Sequence, residues 1–344
     1  MISKPGKTKV SVIIPVRNES DNIIKCLNCL AVQDYPKNLF EIIICDDSST
    51  DNTVDLVNDF IRKHPYNKIK LIELALKKII YKKQAVTEAV AAADGELIIT
   101  TDGDCSMGEK WVSEIVGLYE EKKYFFIAGP VIFQDERNSF TDLQSLEFMS
   151  LVATGLGSVA GNFPVMCNGA NLAYSRKAFL EVSGYSGNTE YVSGDDIFLL
   201  QKIKAKYPGR IGVIKSENAI VYTPAQKDMK SLISQRLRWV SKSRGYRSFP
   251  ALITSVAVYL MNLLILITAV VSFFSGSAFV FFIILITTKL FCDLPVLVNM
   301  TAFARRTKLL VYYLPLQVLY IIYVVLIGVA GNFVRYQWRG RKIS

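Results

Sequence analysis

Short apolar runs alternate with amphipathic stretches along the first third of the chain. The apolar runs are typical of buried strands, which we expect at 10–16, 41–45, 68–74 and 96–101. The stretches between them have helical periodicity, which predicts one helix that Asn18, Glu19 and Ser20 can cap and that runs to about Val32, and further helices from 52 or 53 onward, at 83–93 and at 109–122. Another strand is expected at 124–133, and a long helix at 138–160. Strands that alternate with helices form βαβ units, so the predicted fold is α/β with a Rossmann-like, mostly parallel sheet.

Three long apolar stretches lie in the last quarter of the chain, at about 251–274, 278–300 and 309–331. Each exceeds the ~20 residues that cross the hydrocarbon core of a bilayer, which predicts C-terminal transmembrane α-helices. Lys289 and Asp293 lie four residues apart in the second stretch and are able to pair. Charges in such a position either mark a functional site or join helices. A cytoplasmic first domain followed by three spans would put the basic tail outside the cell. The positive-inside tendency would put the same tail inside. One re-entrant segment would reconcile the two, so the side of the tail stays open.

The pattern divides the chain into a first domain at 1–227, an amphipathic interfacial helix at 228–250, a membrane region at 251–334 and a basic tail at 335–344. The N-terminus is short and polar and lacks an apolar signal core. This predicts a cytoplasmic first domain in a multi-pass protein of the cell membrane, such as a bacterial inner membrane. A net charge of +10 and a mean hydropathy of +0.28 suit an anionic membrane surface and an anionic ligand. We find no nucleic-acid-binding motif, so nucleic acid is not an expected partner.

Six cysteines and a single histidine limit the chemistry that is open to the chain. Cys26 and Cys29 form a C-x-x-C inside a predicted helix, and no second pair follows. Buried thiols are therefore expected rather than zinc, redox chemistry or a disulfide framework. His64 lies beside Pro65 in a predicted loop. Acid–base chemistry then falls to carboxylates rather than to a Ser-His-Asp arrangement.

Carboxylates follow two of the predicted strands. Asp102 and Asp104 come after the strand at 96–101, with Gly103 between them. In open α/β sheets, ligands bind at the carboxyl ends of the strands. Hard oxygen ligands suit Mg²⁺ or Mn²⁺, which is typically shared with substrate phosphates. The alternative is an ordinary Asp-Gly turn. Asp46 and Asp47 likewise either cap a helix or accept hydrogen bonds from a nucleotide.

Three further constellations have a structural and a functional interpretation. Asn168 and Gly169 form either a plain turn or a place where the backbone approaches a sugar closely. Asp195 and Asp196 precede an apolar helix, as N-caps or as a general base beside a second acid. Gln235, Arg238 and Trp239 share one face of an amphipathic helix and suit a hydroxyl, a phosphate and a sugar ring. Basic neighbours suit an interfacial helix as well: Arg236, Lys242, Arg244 and Arg247.

Taken together, these motifs resemble those of the membrane-bound, inverting family 2 glycosyltransferases, which have a GT-A fold. The matching segments cover roughly residues 10–245: Pro15–Glu19, Asp46–Asp51, Lys82–Ala85, Asp102–Asp104, Gly194–Asp196 and Gln235–Trp239. The Q-x-x-R-W motif of the last segment is similar to that of cellulose, chitin and hyaluronan synthases and of ceramide-type glucosyltransferases. Two residues depart from the usual pattern. Asp195 stands where many members have Glu, and Arg17 stands where an aromatic residue is common.

The resemblance implies roles for individual residues. It assigns four residues to the nucleotide pocket: Pro15, Arg17, Glu19 and Asp47. Lys83 would lie near the nucleotide, and Asp102 and Asp104 would hold Mg²⁺ or Mn²⁺ on the diphosphate. Asp196 would be the general base, with Asp195 beside it. Five residues would face the acceptor or the diphosphate: Asn168, Gly169, Gln235, Arg238 and Trp239.

The function that this resemblance implies is an inverting transfer of a sugar from a nucleotide sugar, with UDP favoured, to a hydroxyl of a lipid-linked or membrane-embedded acceptor. The first alternative is a processive polysaccharide synthase that acts as a homo-oligomer or with a partner subunit. Another is a lipid-phosphate sugar transferase, from which Gln235–Trp239 points away. A last alternative is a non-catalytic membrane scaffold, which the intact acidic set disfavours.

Overall fold

The computed structural model describes residues 6–74, 82–134, 138–187, 195–242, 249–330, 336–338 and 341–343. These residues form two compact units. The first contains Met1–Ile132 and Gly155–Pro224, and the second contains Phe133–Thr154 and Ala225–Ser344.

The first unit is built on a central sheet with helices. Its strands are β1 (Val10–Val16), β2 (Phe40–Asp46), β3 (Lys68–Glu73), β4 (Leu97–Thr100), β5 (Ser106–Met107), β6 (Phe126–Ala128), β7 (Val131–Phe133), β8 (Leu172–Ser175), β9 (Ile211–Val213) and β10 (Val221–Thr223). Its helices are α1 (Ile23–Ala31), α2 (Thr53–Lys63), α3 (Lys82–Ala91), α4 (Trp111–Lys122), the end of α5 (Ser139–Ala160), α6 (Arg176–Glu181) and α7 (Asp195–Lys206). Within the described residues, seven strands form the order β3-β2-β1-β4-β8-β6-β9, and a smaller sheet has the order β5-β10-β7.

The central sheet is mostly parallel, as predicted, and β8 alone among its described strands runs against its neighbours. Strands β1, β2 and β4 are buried almost throughout, which explains their continuous apolar sequences. In the register, Val16 pairs with Asp46, and Ile13 pairs with Thr100. The loops after these three strands therefore emerge side by side at one edge of the sheet.

Two predicted elements differ from the observed ones. The single strand expected at 124–133 is two short strands, β6 and β7, in different sheets. Gly129 and Pro130 separate them, because proline has no N–H to donate to a ladder. Helix α1 begins at Ile23, later than the predicted cap at Asn18, Glu19 and Ser20, and Asn18 has a left-handed φ of 52° that a helix does not accommodate.

The second unit contains the first part of α5 and the helices α8 (Met229–Lys242), α9 (Phe249–Val271), α10 (Gly276–Phe303) and α11 (Tyr313–Ala330). It also contains two short antiparallel strands, β11 (Tyr336–Trp338) and β12 (Arg341–Ile343). Among the described residues, three helical segments are long and apolar enough to cross a membrane, with mean hydropathies of 2.2, 2.1 and 2.2. Many of their outward side chains are large and apolar, which is typical of a surface that contacts lipid.

The charged pair in the second apolar helix forms as predicted. Lys289 Nζ and the Asp293 carboxylate make an ion pair, and Lys289 is buried. Gln317 Nε2 of α11 donates to Asp293 Oδ2 at 3.1 Å. The pair therefore joins α10 to α11 by a polar contact inside the apolar region, where a lone charge would be costly.

Candidate functional site

The loops after β1 and β2 are tied together by hydrogen bonds. Arg17 Nη1 donates to the backbone oxygens of Asp47 and, at 2.9 Å, of Ser48. The Asn18 N–H donates to Ser49 Oγ at 2.9 Å. Asn18 and Ser48 have left-handed φ values of 52° and 57°, a region that costs free energy for residues with a side chain. These contacts hold the two loops in a fixed shape at the edge of the sheet.

The two neighbouring acids after β2 have different surroundings. Asp46 accepts from the Ser49 hydroxyl at 2.5 Å and from the Ser49 N–H at 2.9 Å, so Asp46 makes the turn that the sequence predicted for the pair. The Asp47 N–H donates to Val16 O at 2.9 Å, which extends the β1–β2 pairing by one residue. Asp47 is buried, with 2% of its surface exposed. The Asp47 carboxylate, which the nucleotide interpretation requires, is thus held at the carboxyl edge of the sheet.

The turn Asp102–Asp104 follows β4 directly. The Cys105 N–H donates to Asp102 O at 3.1 Å, which closes the turn. A Cβ added to Gly103 would lie 2.9 Å from Val16 Cγ1 and 3.2 Å from Glu19 Cγ. The turn therefore packs against the end of β1 and against the buried Glu19 side chain, and it needs a residue without a side chain at its centre.

The residues of this turn fit a divalent metal. Asp102 and Asp104 are half-buried and supply hard carboxylate oxygens. In the described part of the chain, no group of three or more His, Cys, Asp or Glu side chains is placed to hold an ion. Two carboxylates suit Mg²⁺ or Mn²⁺ that completes its coordination with water and substrate phosphates. The donor set thus matches a metal that binds together with a diphosphate.

Lys82 is a site residue to which the sequence gave no role. Its Nζ lies 2.5 Å from Asp102 Oδ1. Lys83, which the resemblance assigned to the nucleotide, is buried, and its Nζ lies 5.2 Å from the centre of the Phe198 ring. Adjacent residues on a helix point about 100° apart, so the two lysines of α3 face different surroundings. Nothing in the Lys82-Lys83 sequence itself distinguishes them.

Asp196 and Lys82 both lie close to Gly169, and therefore close to each other. A Cβ added to Gly169 would lie 3.6 Å from Lys82 Nζ and 3.9 Å from Asp196 Oδ2. The Gly169 carbonyl accepts from Thr100 Oγ1 of β4 at 3.2 Å. The start of α7, the start of α3, the Gly169 loop and the end of β4 therefore converge. The side chain of Asp195 and all of Gly194 lie outside the described residues.

Asn171 holds the Gly169 loop, and no sequence motif pointed to it. It is buried, and its Nδ2 donates to Pro130 O and Ala219 O, each at 2.8 Å. Its Oδ1 accepts from Trp111 Nε1 at 3.1 Å. The neighbouring Asn168 makes a local turn instead, because its Oδ1 accepts from the backbone two residues later. Of the two asparagines, Asn171 thus joins separate parts of the fold.

The second unit carries the other predicted site residues on α8. Arg238 and Trp239 are half-buried, as is Gln235. The interfacial role predicted for Arg236 is wrong. Arg236 is buried and forms an ion pair with Glu147 of α5. The side chains of Lys242, Arg244 and Arg247 lie outside the described residues, as does the backbone of 243–248.

The six cysteines are free thiols, and of the C-x-x-C pair Cys26 is buried, as expected, while Cys29 is half-buried. Cys26 and Cys105 are buried beneath the Asp102–Asp104 turn, where the Cys26 Sγ lies 3.7 Å from Asp102 O. Burial raises the pKa of both thiols well above the usual value, and the nearby carboxylates raise it further. Both thiols are therefore neutral and act as packing groups under the carboxylate turn.

Comparison with known proteins identifies the family of the chain. The profile of Glycosyl transferase family 21 matches residues 2–344. Glycosyltransferase AglE of Haloferax volcanii is 30% identical over 149 residues, which are 41% of this chain and 48% of that protein. The dolichyl N-acetyl-alpha-D-glucosaminyl phosphate 3-beta-D-2,3-diacetamido-2,3-dideoxy-beta-D-glucuronosyltransferase of Methanococcus voltae is 39% identical over 90 residues, 26% of this chain and 27% of that protein. The chain thus spans half or less of the length of these relatives.

A solved structure shares the fold. The mannosyltransferase PcManGT from Pyrobaculum calidifontis, in complex with GDP-Man and Mn²⁺, superimposes with a TM-score of 0.58 at 17% identity, over 94% of this chain and 87% of that one. The predicted GT-A-type fold with three apolar C-terminal helices is confirmed. The resemblance to family 2 glycosyltransferases holds at the level of a family 2-type enzyme, and the more specific assignment comes from the profile. The chain belongs to Glycosyl transferase family 21.

Proposed function

We propose that the protein is an inverting, metal-dependent glycosyltransferase that moves a sugar from a nucleoside diphosphate to a hydroxyl of a lipid-linked or membrane-embedded acceptor. One observation carries the proposal. The metal-type carboxylate Asp102, the cation Lys82 and the carboxylate Asp196 converge around Gly169 at the carboxyl edge of the sheet. An acid near a diphosphate-type site is what an inverting displacement requires.

The roles follow from charge and position. Asp196 accepts the proton of the acceptor hydroxyl, and the resulting nucleophile attacks the anomeric carbon from the face opposite the leaving group. Lys82 stands beside the same edge and stabilises negative charge that develops on the leaving diphosphate. Asp102 and Asp104 would hold Mg²⁺ or Mn²⁺, which would supply further neutralisation of that charge. Direct displacement needs no carboxylate that acts as a covalent nucleophile.

The nucleotide is assigned to the loops after β1 and β2. Pro15 lies near the end of β1, Arg17 and Glu19 lie on the loop after it, and the buried Asp47 lies on the loop after β2. A carboxylate held there is able to accept hydrogen bonds from a ribose hydroxyl or a base N–H. UDP is our first choice for the nucleotide, and the GDP-Man bound by the Pyrobaculum mannosyltransferase makes GDP the first comparison.

A lipid acceptor is supported by the apolar helices and by relatives whose names specify lipid-type acceptors. The name of the Methanococcus voltae protein specifies a dolichyl N-acetyl-alpha-D-glucosaminyl phosphate. A relative from Nostoc, 24% identical over 162 residues that are 44% of this chain and 34% of that protein, is named a beta-monoglucosyldiacylglycerol synthase. Gln235, Arg238 and Trp239 on α8 offer an amide, a guanidinium and an indole for the acceptor and the diphosphate. In the first unit, Asn168 and Gly169 are likewise proposed for the acceptor.

The test is nucleotide release by the purified protein in detergent. A panel of UDP and GDP sugars is offered with Mn²⁺ or Mg²⁺ and a membrane lipid extract. Release from one donor that is lost in Asp196→Asn and in Asp104→Ala, but kept in the control Asp59→Asn on the half-exposed face of α2, supports the proposal. The size of the radiolabelled product separates transfer of one sugar from polymer synthesis. Absence of both nucleotide binding and release from every donor refutes the proposal and favours the scaffold.

A further inference from the structure

A buried ion pair joins two helices of the second unit. Glu147 of α5 accepts from Arg236 Nη2 of α8, and 10% and 3% of the two side chains are exposed. Burial raises the pKa of Glu147, and the neighbouring guanidinium opposes that shift. Taking both charges out of water is costly, so such a pair is weak support for stability alone. Such a pair is able instead to fix one arrangement of the side chains around it.

The same guanidinium contacts two side chains of the Q-x-x-R-W segment. Arg236 Nη1 donates to Gln235 Oε1 at 2.9 Å. Its central carbon lies 4.2 Å from the centre of the Trp239 ring, which is cation–π geometry. The Trp239 ring also lies 6.0 Å from the ring of Phe148, the residue after Glu147. The Arg236 guanidinium thus sets the positions of the Gln235 amide and the Trp239 indole. Glu147 in turn sets the position of the guanidinium.

Residues of α11 complete the surroundings of the pair. Tyr320 and Tyr323 lie near enough to interact electrostatically with Glu147 and with Arg236. The centre of the Tyr320 ring also lies 5.0 Å from Lys289 Nζ. The pair is therefore enclosed by α5, α8 and α11. A lysine in place of Arg236 would keep the charge but would lose the flat fork that reaches three partners at once.

We infer that Glu147 and Arg236 are positioning residues, which orient Gln235 and Trp239 for the acceptor. The inference rests on the proposed function, because it assigns the acceptor side of the same reaction. It predicts that damage to the pair acts through Trp239 and raises the KM for the acceptor, while the KM for the donor stays unchanged. A pair that only stabilised the fold would not act selectively through one side chain.

The experiment is a double-mutant cycle between Arg236→Lys and Trp239→Ala, measured as kcat/KM for the acceptor. Arg236→Lys alone is expected to lower kcat/KM roughly 10- to 100-fold, the size of a small displacement at a reacting site. In the Trp239→Ala protein, the same change is expected to cost less than about 2-fold, since the side chain that it positions is gone. Glu147→Gln is expected to reproduce both results. Equal losses in the two backgrounds overturn the inference.

The matched control is Glu41→Gln in the first unit. Glu41 is also a buried acid with cationic partners, Lys68 and Lys70, and it lies at the start of β2. Its loss is expected to lower the unfolding temperature and to combine additively with Trp239→Ala. If Arg236→Lys and Glu147→Gln both fail to fold while Glu41→Gln folds, the pair is a stability element and the inference is wrong.

A second readout does not require activity. The emission of Trp239 is obtained by subtracting the spectrum of each Trp239→Phe counterpart. Arg236→Lys and Glu147→Gln are expected to shift this emission, because the cation leaves the ring face, and Glu41→Gln is expected not to. A protein that is inactive with every donor, but shows these shifts, would refute the proposed function and leave the positioning of Trp239 standing. Unchanged emission would refute the positioning role whatever the activity.

Discussion

Replacing Asn171 with alanine tests whether one buried amide holds the loop that carries Gly169. The change removes the donors to Pro130 O and Ala219 O and the acceptor for Trp111 Nε1. Pro130 O keeps a second donor, the Val221 N–H at 3.0 Å. The Ala219 carbonyl and the Trp111 indole N–H lose the hydrogen bonds described here and are left buried.

The magnitude follows from those two groups. A buried polar group without a partner costs about 1–3 kcal/mol, so the expected loss in the free energy of unfolding is roughly 2–6 kcal/mol. Taking about 4 kcal/mol and 2–4 °C per kcal/mol for a unit of this size, the unfolding temperature falls by roughly 8–16 °C. The loss of activity is expected to follow, since Gly169 is two residues away.

The assay is thermal unfolding in detergent, followed by circular dichroism, for Asn171→Ala and for a matched control, Asn58→Ala. Asn58 is exposed on α2, and its replacement is expected to change the free energy of unfolding by less than about 0.5 kcal/mol. If the two variants unfold at the same temperature, then the three hydrogen bonds of Asn171 do not hold the loop, and the reasoning is refuted.

Three further changes test other parts of the first unit. Gly103→Ala puts a Cβ 2.9 Å from Val16 Cγ1, so metal-dependent activity is expected to fall. The control Gly157→Ala, whose added Cβ meets nothing within 4 Å, is expected to leave activity unchanged. Equal activities of the two variants would show that the turn at Gly103 accommodates a side chain. Lys82→Ala removes the ammonium beside Asp102 Oδ1, and this is expected to raise the KM for the donor about tenfold and to lower the half-saturating Mn²⁺ concentration. Lys63→Ala is the control. If neither constant changes in Lys82→Ala, then Lys82 is not part of the site. Burial alone would raise the pKa of Glu41, but hydrogen bonds from Ser11, the Asp94 N–H and Lys70 outweigh it and hold that pKa below its usual value. This stabilisation is present above about pH 4.3 and is lost as the pH falls through the folded pKa. Between about pH 6 and pH 3, the unfolding temperature of Glu41→Gln is therefore expected to fall by less than that of the parent protein. Equal falls in the two proteins would contradict this prediction.

The sheet was predictable because burial on both faces leaves a continuous apolar signal in the sequence. Strands β1, β2 and β4 all carry it, and the acids that follow them lie at one edge as the parallel arrangement requires. The break at Gly129 and Pro130 was missed because the apolar run continues across it. Only the pairing of β7 in the smaller sheet makes the break visible.

The candidate site was predictable as residue types but not as partners. Sequence patterns did not distinguish Asp46 from Asp47, nor Lys82 from Lys83, because neighbours share the same local signal while the fold turns them to different surroundings. Arg236 had the pattern of an interfacial cation, and its burial depends on Glu147, which lies 89 positions away in the chain. Contacts of that separation leave no trace in the periodicity of either helix.

The order in which the chain is made gives the Glu147–Arg236 pair one more consequence. The second unit is assembled from an early segment, Phe133–Thr154, and a late one, Ala225–Ser344. During synthesis, α5 therefore emerges with an acid that has no counter-ion until α8 follows. A protein cut after Pro224 keeps the whole sheet and its carboxylate turn, yet retains the apolar face of α5 and Glu147 without their partners. The polypeptide up to Pro224, which carries the Asp102, Gly169 and Asp196 cluster, is thus expected to aggregate unless the segment Ala225–Ser344 is present.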